Sequence, residues 1–224
     1  IDSVDYSDST AAVNVNLAST YGYGGTAAGD RYTGIENIFG SIYNDSLYGS
    51  NGDNSLSGGA GNDLIDAGIG NDTLEGGAGR DTLYGGQDMD YLDYSASDAA
   101  VSVNLATGAA SGGHATGDVL AGVDGICGSA FDDALIGFDS QGITGDIYTN
   151  VFFGGAGNDY VDVGAGNDIA HGDEGNDTIY AGAGDDLATG GEGNDAIYGG
   201  TGNDSINGGD GNDLISGGAG NDVL

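Results

Sequence analysis

The sequence predicts an all-β fold of stacked repeats, and the main observation is a nine-residue period that runs from Gly154 to Leu224. Eight consecutive units, the last shorter by one residue, carry Gly at position four and Asp at position six. Position eight is always apolar, as in Val161, Ile179 and Ile197. Glycine lets the first six residues turn tightly, and the last three alternate outward, inward and outward as a short strand does. A fixed period with fixed chemistry at fixed offsets indicates a stacked architecture.

Hydrophobic burial alone is too small to hold such a chain together, because only one residue in nine is reliably directed inward. Ordering nine backbones costs more conformational entropy than one buried aliphatic side chain and a few strand hydrogen bonds return. The Asp in every unit lies among carbonyl-rich glycine turns, and such hard oxygen ligands suit Ca²⁺. The sequence therefore predicts that bound calcium stabilises the turns.

The stretch resembles the RTX family, the haemolysin-type calcium-binding nonapeptide repeats of secreted bacterial proteins. The resemblance implies a parallel β-roll in which two nonapeptides form one 18-residue coil and turns stack along two edges. It also implies calcium ions between successive turns, held by position-six carboxylates and by backbone carbonyls of positions one to four. One edge would carry Asp159, Asp177, Asp195 and Asp213, and the other Asp168, Asp186, Asp204 and Asp222. A disordered Gly/Asp-rich tract is the alternative, which the regularly apolar eighth position disfavours.

The chain before the regular array contains one element twice, at residues 5–49 and 93–137. At a constant offset of 88 residues, 23 of 45 positions are identical. In each copy aliphatic residues alternate with Asn or Ser, which predicts a half-buried strand. These aliphatic residues are Val13, Val15 and Leu17 in the first copy, and Val101, Val103 and Leu105 in the second. The element resembles the irregular strands that precede the β-roll in serralysin-type proteins. It is either a cap over the first coil or a set of loops that forms a ligand pocket.

These patterns predict two tandem modules, each with pre-roll strands followed by a roll. The segments are pre-roll strands at 1–39, roll one at 40–93, a second pre-roll copy at 94–127 and roll two at 128–224. Residues 137–144 break the register of roll two and are predicted to form a surface-loop insertion. Asn54 and Asn150 replace the carboxylate at position six, and they predict weak or empty metal sites because a neutral amide attracts calcium less.

The predicted metal ligands are position-six carboxylates and glycines at positions two and four of the turns. The carboxylates are Asp45, Asp63, Asp72, Asp81, Asp90, Asp133, Asp159, Asp168, Asp177, Asp186, Asp195, Asp204, Asp213 and Asp222. The glycines are Gly59, Gly61, Gly77, Gly79, Gly155, Gly157, Gly164, Gly166, Gly175, Gly182, Gly184, Gly191, Gly193, Gly200, Gly202, Gly209 and Gly211.

The amino-acid composition indicates which classes of partner the chain can bind. It has 36 acidic residues against two Arg and no Lys, and a formal charge of −34. That charge repels nucleic acid and anionic membranes, and no apolar run has membrane-spanning length, so neither nucleic-acid binding nor membrane insertion is expected. Calcium, on the order of ten ions, would neutralise more than half of the charge.

No enzyme is predicted. The two histidines, His114 and His171, lie far apart in sequence, and the chain has no His-Glu-x-x-His motif, nucleophile elbow or P-loop lysine. The nine-residue period of the carboxylates favours metal ligation over acid/base chemistry. The single Cys127 cannot form an internal disulfide.

Two functions are consistent with these patterns. The first is a calcium-dependent folding and stabilising region of a larger secreted bacterial protein, which the family resemblance implies is exported by a type I system. The second is a structural, surface-layer or adhesive building block that self-assembles. Both place the chain outside the cell or on its surface.

The last unit bears on self-assembly. Leu224 occupies an inward position eight, which predicts that the roll continues, that another molecule stacks on it, or that the chain frays after about Asp213. Tyr180 and Tyr198 are outward positions 18 residues apart, and they are either scattered exposed groups or part of a contact face.

Overall fold

A computed structural model describes residues 1–138 and 149–224, and its architecture is all-β. Two short 3-10 helices span Gly25–Ala27 and Gly113–Ala115. The strands in chain order are β1 (Ser3–Asp5), β2 (Asn14–Asn16), β3 (Tyr21–Tyr23), β4 (Asn37–Phe39), β5 (Ser46–Tyr48), β6 (Ser55–Ser57), β7 (Ala60–Gly61), β8 (Leu64–Ile69), β9 (Thr73–Glu75), β10 (Ala78–Gly79), β11 (Thr82–Gln87), β12 (Tyr91–Asp93), β13 (Ser102–Asn104), β14 (Ala109–Ser111), β15 (Val119–Ala121), β16 (Gly125–Cys127), β17 (Ala134–Phe138), β18 (Val151–Ala156), β19 (Tyr160–Gly164), β20 (Ile169–Glu174), β21 (Thr178–Tyr180), β22 (Leu187–Glu192), β23 (Ala196–Thr201), β24 (Ser205–Asp210) and β25 (Leu214–Ala219).

The chain forms two compact units. Unit 1 contains Ile1–Tyr94 together with Ala109–Val123, and unit 2 contains Ser95–Gly108 together with Asp124–Leu224. The second pre-roll copy is therefore divided between the units.

Unit 1 has two parallel stacks of short strands. One stack has the order β1-β4-β6-β9-β12, and all its pairs are parallel. The other has the order β2-β5-β8-β11-β15 with parallel pairs, and it carries β3 and β14 as antiparallel neighbours of β2 and β15. The turn strands β7 and β10 pair with each other.

Unit 2 repeats this arrangement. One stack has the order β16-β18-β20-β22-β24, and the other β13-β17-β19-β21-β23-β25. All these pairs are parallel. Successive strands of one chain that lie parallel at a constant offset form a coil, so the predicted parallel β-roll is confirmed.

The register has a period of 18 residues, and it places each position-eight side chain on the next. In unit 1, Leu47 pairs with Ile65 and Ile65 with Leu83, and all three are fully buried. In unit 2, Val161 pairs with Ile179 and Ile179 with Ile197, again fully buried. Each sheet therefore contributes a column of position-eight apolar side chains to the core of its roll.

The pre-roll strands continue these columns. Val15 of β2 lies beside Leu47, and Val103 of β13 lies beside Leu135, and all four side chains are buried. Leu105, which follows the end of β13, is more exposed than the predicted alternation implies.

Most turns have left-handed backbone at positions two and four. Gly59 and Gly61 have φ of 96° and 128°, a region that L side chains rarely adopt. Asp88 and Asp173 occupy such positions with φ of 76° and 74°, which Asp tolerates better than most residues. The turn conformation therefore persists where the sequence departs from glycine.

A ladder of position-five amides runs along the outside of the turns. The backbone N–H and the Nδ2 of Asn176 both donate to Oδ1 of Asn158, at 3.0 and 2.9 Å. Asn194 makes the same pair of bonds to Asn176, at 2.8 and 3.0 Å. These exposed bonds tie each turn to the preceding one.

Two sequence expectations concern the second roll. The predicted insertion at 137–144 lies outside the described residues from 139 onward, and Gly137 and Phe138 belong to β17. Strand β17 pairs with β19 at an offset of 26 residues instead of 18, as Ala134 opposite Tyr160 shows. Leu224, predicted to be inward, is 68% exposed.

Within the described ranges, no helix is long and apolar enough to cross a membrane.

The close stacking of turns predicts a strong difference between two position-four glycines on one edge of unit 1. Gly70 has φ of 127°, and a Cβ there would lie 2.8 Å from the carbonyl carbon of Gly52. Gly52, one turn earlier, has ordinary backbone, and a Cβ added to it would meet only open space. We expect Gly70→Ala to lower the free energy of unfolding by at least about 2 kcal/mol, from strain and overlap combined.

The matched control is Gly52→Ala, which should stay within about 0.5 kcal/mol of the parent chain. Urea unfolding in millimolar calcium measures both variants, and equal losses would contradict the assigned turn geometry.

Candidate metal sites

Each regular turn buries one carboxylate at position six. The chain enters the turn from an inward position one, passes through the left-handed residues and returns with the Asp side chain beneath the turn. Asp72 and Asp90 are completely buried, and Asp159, Asp168 and Asp177 are nearly so. Buried carboxylates are rare unless they are paired, so the partners of both oxygens decide what the turns can bind.

One oxygen of each carboxylate has a protein partner. The backbone N–H of a position-six residue donates to Oδ1 of the Asp one turn later, over 2.6 to 3.1 Å. The four edges so connected are Asp45, Asp63, Asp81 and Asp118; Asn54, Asp72 and Asp90; Asp133, Asp159, Asp177, Asp195 and Asp213; and Asn150, Asp168, Asp186, Asp204 and Asp222. We call this chain of bonds the carboxylate ladder.

The other oxygen is left without a partner in the middle of every edge. Within the described residues, Oδ2 is buried and accepts no hydrogen bond in a set of turns from both units, namely Asp63, Asp72, Asp81, Asp159, Asp168, Asp177, Asp186, Asp195 and Asp204. A buried carboxylate oxygen without a hydrogen bond lowers the stability of the fold. Because such an oxygen recurs at a fixed period, the turns indicate a binding site for a cation.

The space next to Oδ2 also borders a backbone carbonyl of the following turn. A Cβ added to Gly154 would lie 2.5 Å from Oδ2 of Asp159 and 2.6 Å from the carbonyl oxygen of Gly172. A Cβ on Gly199 would meet Oδ2 of Asp204 and the carbonyl oxygen of Gly217, each at 2.5 Å. Glycine at position one thus keeps open a small space lined by carboxylate and carbonyl oxygens.

Burial perturbs the titration of these carboxyl groups. It raises the pKa of Asp63, Asp159 and Asp168 to about 7, against an opposing backbone hydrogen bond and with help from the next carboxylate on the edge. For the same main reason, the pKa is raised to about 6 in Asp72, Asp81, Asp177 and Asp186. A bound cation would lower the pKa of these carboxyl groups, since a nearby positive charge favours the ionised form.

The predicted glycine ligands lie at positions two and four of their turns, and their left-handed backbone shapes the space around the carboxylates. Positive φ is found at Gly59, Gly61, Gly77, Gly155, Gly157, Gly164, Gly166, Gly175, Gly182, Gly184, Gly191, Gly193, Gly200, Gly202, Gly209 and Gly211. Gly79, in strand β10, has no positive φ. The described residues contain no group of three or more His, Cys, Asp or Glu side chains that could hold a metal.

The predicted carboxylate ligands differ at the ends of the edges. Asp45 and Asp133, in the first turns, have protein donors on both oxygens. Asp213 and Asp222, in the last turns, accept at Oδ1 and are only partly buried. Their ligand roles stay predictions.

Sequence reasoning missed Asp118, which extends the edge of Asp45, Asp63 and Asp81. Its Oδ1 accepts the backbone N–H of Asp81 at 2.8 Å, and its Oδ2 accepts the hydroxyl of Tyr94 at 3.0 Å. Burial raises the pKa of Asp118, and the bonds from Asp81 and Tyr94 oppose the rise. The available signal was the run Asp-Val-Leu-Ala at 118–121, which matches positions six to nine of a repeat.

A stack of strands with one buried carboxylate and one open carbonyl-lined space per turn defines a metal-binding β-solenoid. The family model of RTX calcium-binding nonapeptide repeats matches residues 32–65, 39–74, 66–98, 143–170, 163–197, 171–205 and 189–224. These matches cover more than half of the chain, and the protein belongs to this family. No curated protein matches the chain.

The repeats of this family bind calcium, and the residues present fit that ion. The Oδ2 atoms accept no hydrogen bond and lie beside backbone carbonyl oxygens, and such hard oxygen donors are the set that Ca²⁺ takes. The prediction that the turns are calcium-binding repeats is therefore confirmed.

The raised pKa values predict competition between calcium and protons. We expect the calcium concentration at half-folding to increase as pH falls from about 7.5 to about 5.5, because protonated Asp63, Asp159 and Asp168 no longer attract the ion. A calcium titration followed by circular dichroism at the two pH values measures the change. A midpoint that does not move would contradict the burial of these carboxylates.

The same shifts predict the opposite trend without calcium. Because the folded-state pKa lies above the ordinary value, protonation stabilises the calcium-free fold at low pH, and this contribution is lost as pH rises through about 6 to 7. In chelator, β signal should therefore be greater at about pH 5 than at pH 7.5.

Proposed function

We propose that this chain is a calcium-dependent folding region of a larger secreted bacterial protein. The observation that carries the proposal is the set of buried, unpartnered Oδ2 atoms that recurs along every edge. Without a cation, the stacked turns bury these carboxylate oxygens away from water, in a chain whose formal charge is −34, and this burial destabilises the fold. With calcium, the same oxygens become ligands, and their burial stabilises the fold.

The proposed ligands are the position-six carboxylates of the middle and last turns, from Asp63 to Asp90 in the first roll and from Asp159 to Asp222 in the second. Backbone carbonyls of positions one to four complete each site. This arrangement supports calcium binding on the order of ten ions per chain. No catalytic group is proposed.

Calcium dependence suits a protein that is exported unfolded, as by a type I system, and folds outside the cell. Extracellular calcium modules bind their ions at roughly 10⁻⁴–10⁻³ M, far above cytosolic calcium. At ten times its dissociation constant, each independent site adds about 1.4 kcal/mol to stability. The roll would therefore stay unfolded in the cytosol and would fold after export.

The four-segment organisation is part of the proposal. Pre-roll strands at 1–39 and 94–127 would each start a roll, at 40–93 and 128–224. The backbone N–H groups of Val13 and Val101 support this division, since they donate to Asp45 and Asp133 in the place of a preceding turn.

A second candidate is a structural or adhesive building block on the cell surface. The outer face of unit 2 favours it with a row of three neighbouring tyrosine rings. Tyr160 lies 5.7 Å from Tyr180 between ring centroids, and Tyr180 lies 4.9 Å from Tyr198. Calcium-dependent growth of assemblies in light scattering would support this candidate, and a concentration-independent monomer would oppose it.

Folding should require calcium. We expect circular dichroism of the whole chain to show coil in chelator at neutral pH and β structure at millimolar calcium. Magnesium is the control ion, and it should substitute poorly because it demands tighter octahedral geometry. A full β signal in chelator at neutral pH would refute the proposed function.

Loss of one carboxylate charge should matter more within an edge than at its end. Asp177 is buried between two regular turns, whereas Asp222 ends its edge and is partly exposed. We expect Asp177→Asn to release one calcium ion and to cost on the order of 1–3 kcal/mol of stability in calcium. Asp222→Asn is the matched control with a smaller effect, and equal effects in titration calorimetry would contradict this order.

A further inference from the structure

The first turn on each edge differs at position two from the later turns that are built from nonapeptides. Ser41, Ser50 and Ser129 stand there on three edges, and Phe138 takes the corresponding place before Asn150 on the fourth. The later nonapeptide turns have Gly or Asp173 at this position with positive φ. Among the described non-glycine residues, only Thr20, Asp88 and Asp173 have positive φ, so the first turns have a different backbone path.

This path directs a backbone N–H at the position-six side chain. In unit 1 the N–H of Ser41 donates to Oδ2 of Asp45 at 2.5 Å, the oxygen that is unpartnered in the later turns. The hydroxyl of Ser41 donates to Oδ1 at 3.0 Å, and the N–H of Val13 donates to Oδ1 at 2.7 Å. Both oxygens of Asp45 are therefore occupied by protein donors.

Unit 2 repeats the same arrangement. The N–H and the hydroxyl of Ser129 donate to Oδ2 and Oδ1 of Asp133 at 2.5 and 2.8 Å. The N–H of Val101 adds a bond to Oδ1 at 2.7 Å. Two independent copies of the element thus supply the same three donors to one carboxylate.

On the two remaining edges a neutral amide occupies the position. Oδ1 of Asn54 accepts the N–H of Ser50 at 2.7 Å, and its Nδ2 donates to the carbonyl oxygen of Glu36 at 3.0 Å. Asn150 accepts the N–H of Phe138 at 3.1 Å and donates to the carbonyl oxygen of Asp124 at 3.4 Å. An amide that donates where a carboxylate would bind a cation leaves no negative site there.

We propose that these four first turns are caps held by hydrogen bonds from the protein in place of calcium, and that the calcium stack begins one turn later on every edge. Asp45 and Asp133 are then structural acceptors and not metal ligands, in the same role as Asn54 and Asn150. The inference rests on the proposed calcium binding of the later turns.

One edge of unit 1 is closed in the same way at its other end. The hydroxyl of Tyr94 donates to Oδ2 of Asp118, which again fills the oxygen that would otherwise face a cation. A donor therefore replaces the ion at both ends of the edge that runs from Asp45 to Asp118. Such caps would set the register of the first coil through hydrogen bonds alone.

The test counts bound calcium in variants of the whole chain by native mass spectrometry, with circular dichroism as the check of folding. Asp45→Asn and Asp133→Asn should bind as many ions as the parent chain. The matched controls are Asp63→Asn and Asp177→Asn, the next turn and an interior turn, and each should lose one ion. One ion lost from each cap variant, as from each control, would overturn the inference while the proposed function stands.

Unchanged calcium in the controls as well would overturn the proposed function itself. If the cap variants do not fold, the double variant Ser129→Gly with Phe131→Gly decides. It converts the first turn of unit 2 to the pattern Gly-Gly-Ala-Gly-Asp-Asp and removes the hydroxyl donor. We expect this variant to gain one calcium ion, and an unchanged count would contradict the cap.

Discussion

The structure depends on carboxylates that are buried at a fixed period with only one oxygen paired. Oδ1 of each position-six Asp holds the backbone of the previous turn, as in the 2.8 Å bond from Asp159 to Asp177. Oδ2 faces inward under the turn, next to a carbonyl of the following coil, and has no partner in the described middle turns. The hydrogen bond to Oδ1 aligns successive coils. The unpaired Oδ2 makes the stability of the coils depend on a bound cation. The repeat therefore couples alignment and ion binding in a single side chain.

Glycine serves this arrangement by leaving space. At position one it keeps a Cβ out of the space between carboxylate and carbonyl, as at Gly154. At positions two and four it supplies the left-handed backbone of the turn. The apolar column beneath the turns is narrow, with one or two buried side chains per strand, so it cannot compensate for disorder in the turns. A roll with these dimensions has little stability in reserve when its turns are not neutralised.

Much of this architecture could be predicted from the period alone. Positions six and eight of the regular units, such as Asp177 and Ile179, are buried as expected, since their spacing fixes which side chains face inward. Asp118 was not found, because it joins its edge at an offset of 37 residues and outside any regular unit. The pairing of the two oxygens could not be predicted either. The pairing of the oxygens depends on whether position two has left-handed backbone. In the sequence, Ser41 looks like an ordinary substitution for glycine and does not reveal this difference. The amide ladder of Asn158 and Asn176 was visible in the sequence as a recurrent Asn, but its bonds follow only from the direct stacking of turns.

The 18-residue register also limits how such a chain can change in length. Outward side chains on the two sheets belong to different rows, with Tyr180 and Tyr198 stacked on one and Phe153 and His171 stacked on the other. Insertion or deletion of a single nonapeptide would keep an Asp in every turn but would move all later outward residues to the opposite sheet. A duplication of two nonapeptides would preserve both rows. Addition of whole coils therefore preserves the rows of outward side chains on both sheets. Addition of half a coil exchanges the later residues between the sheets and creates a different surface.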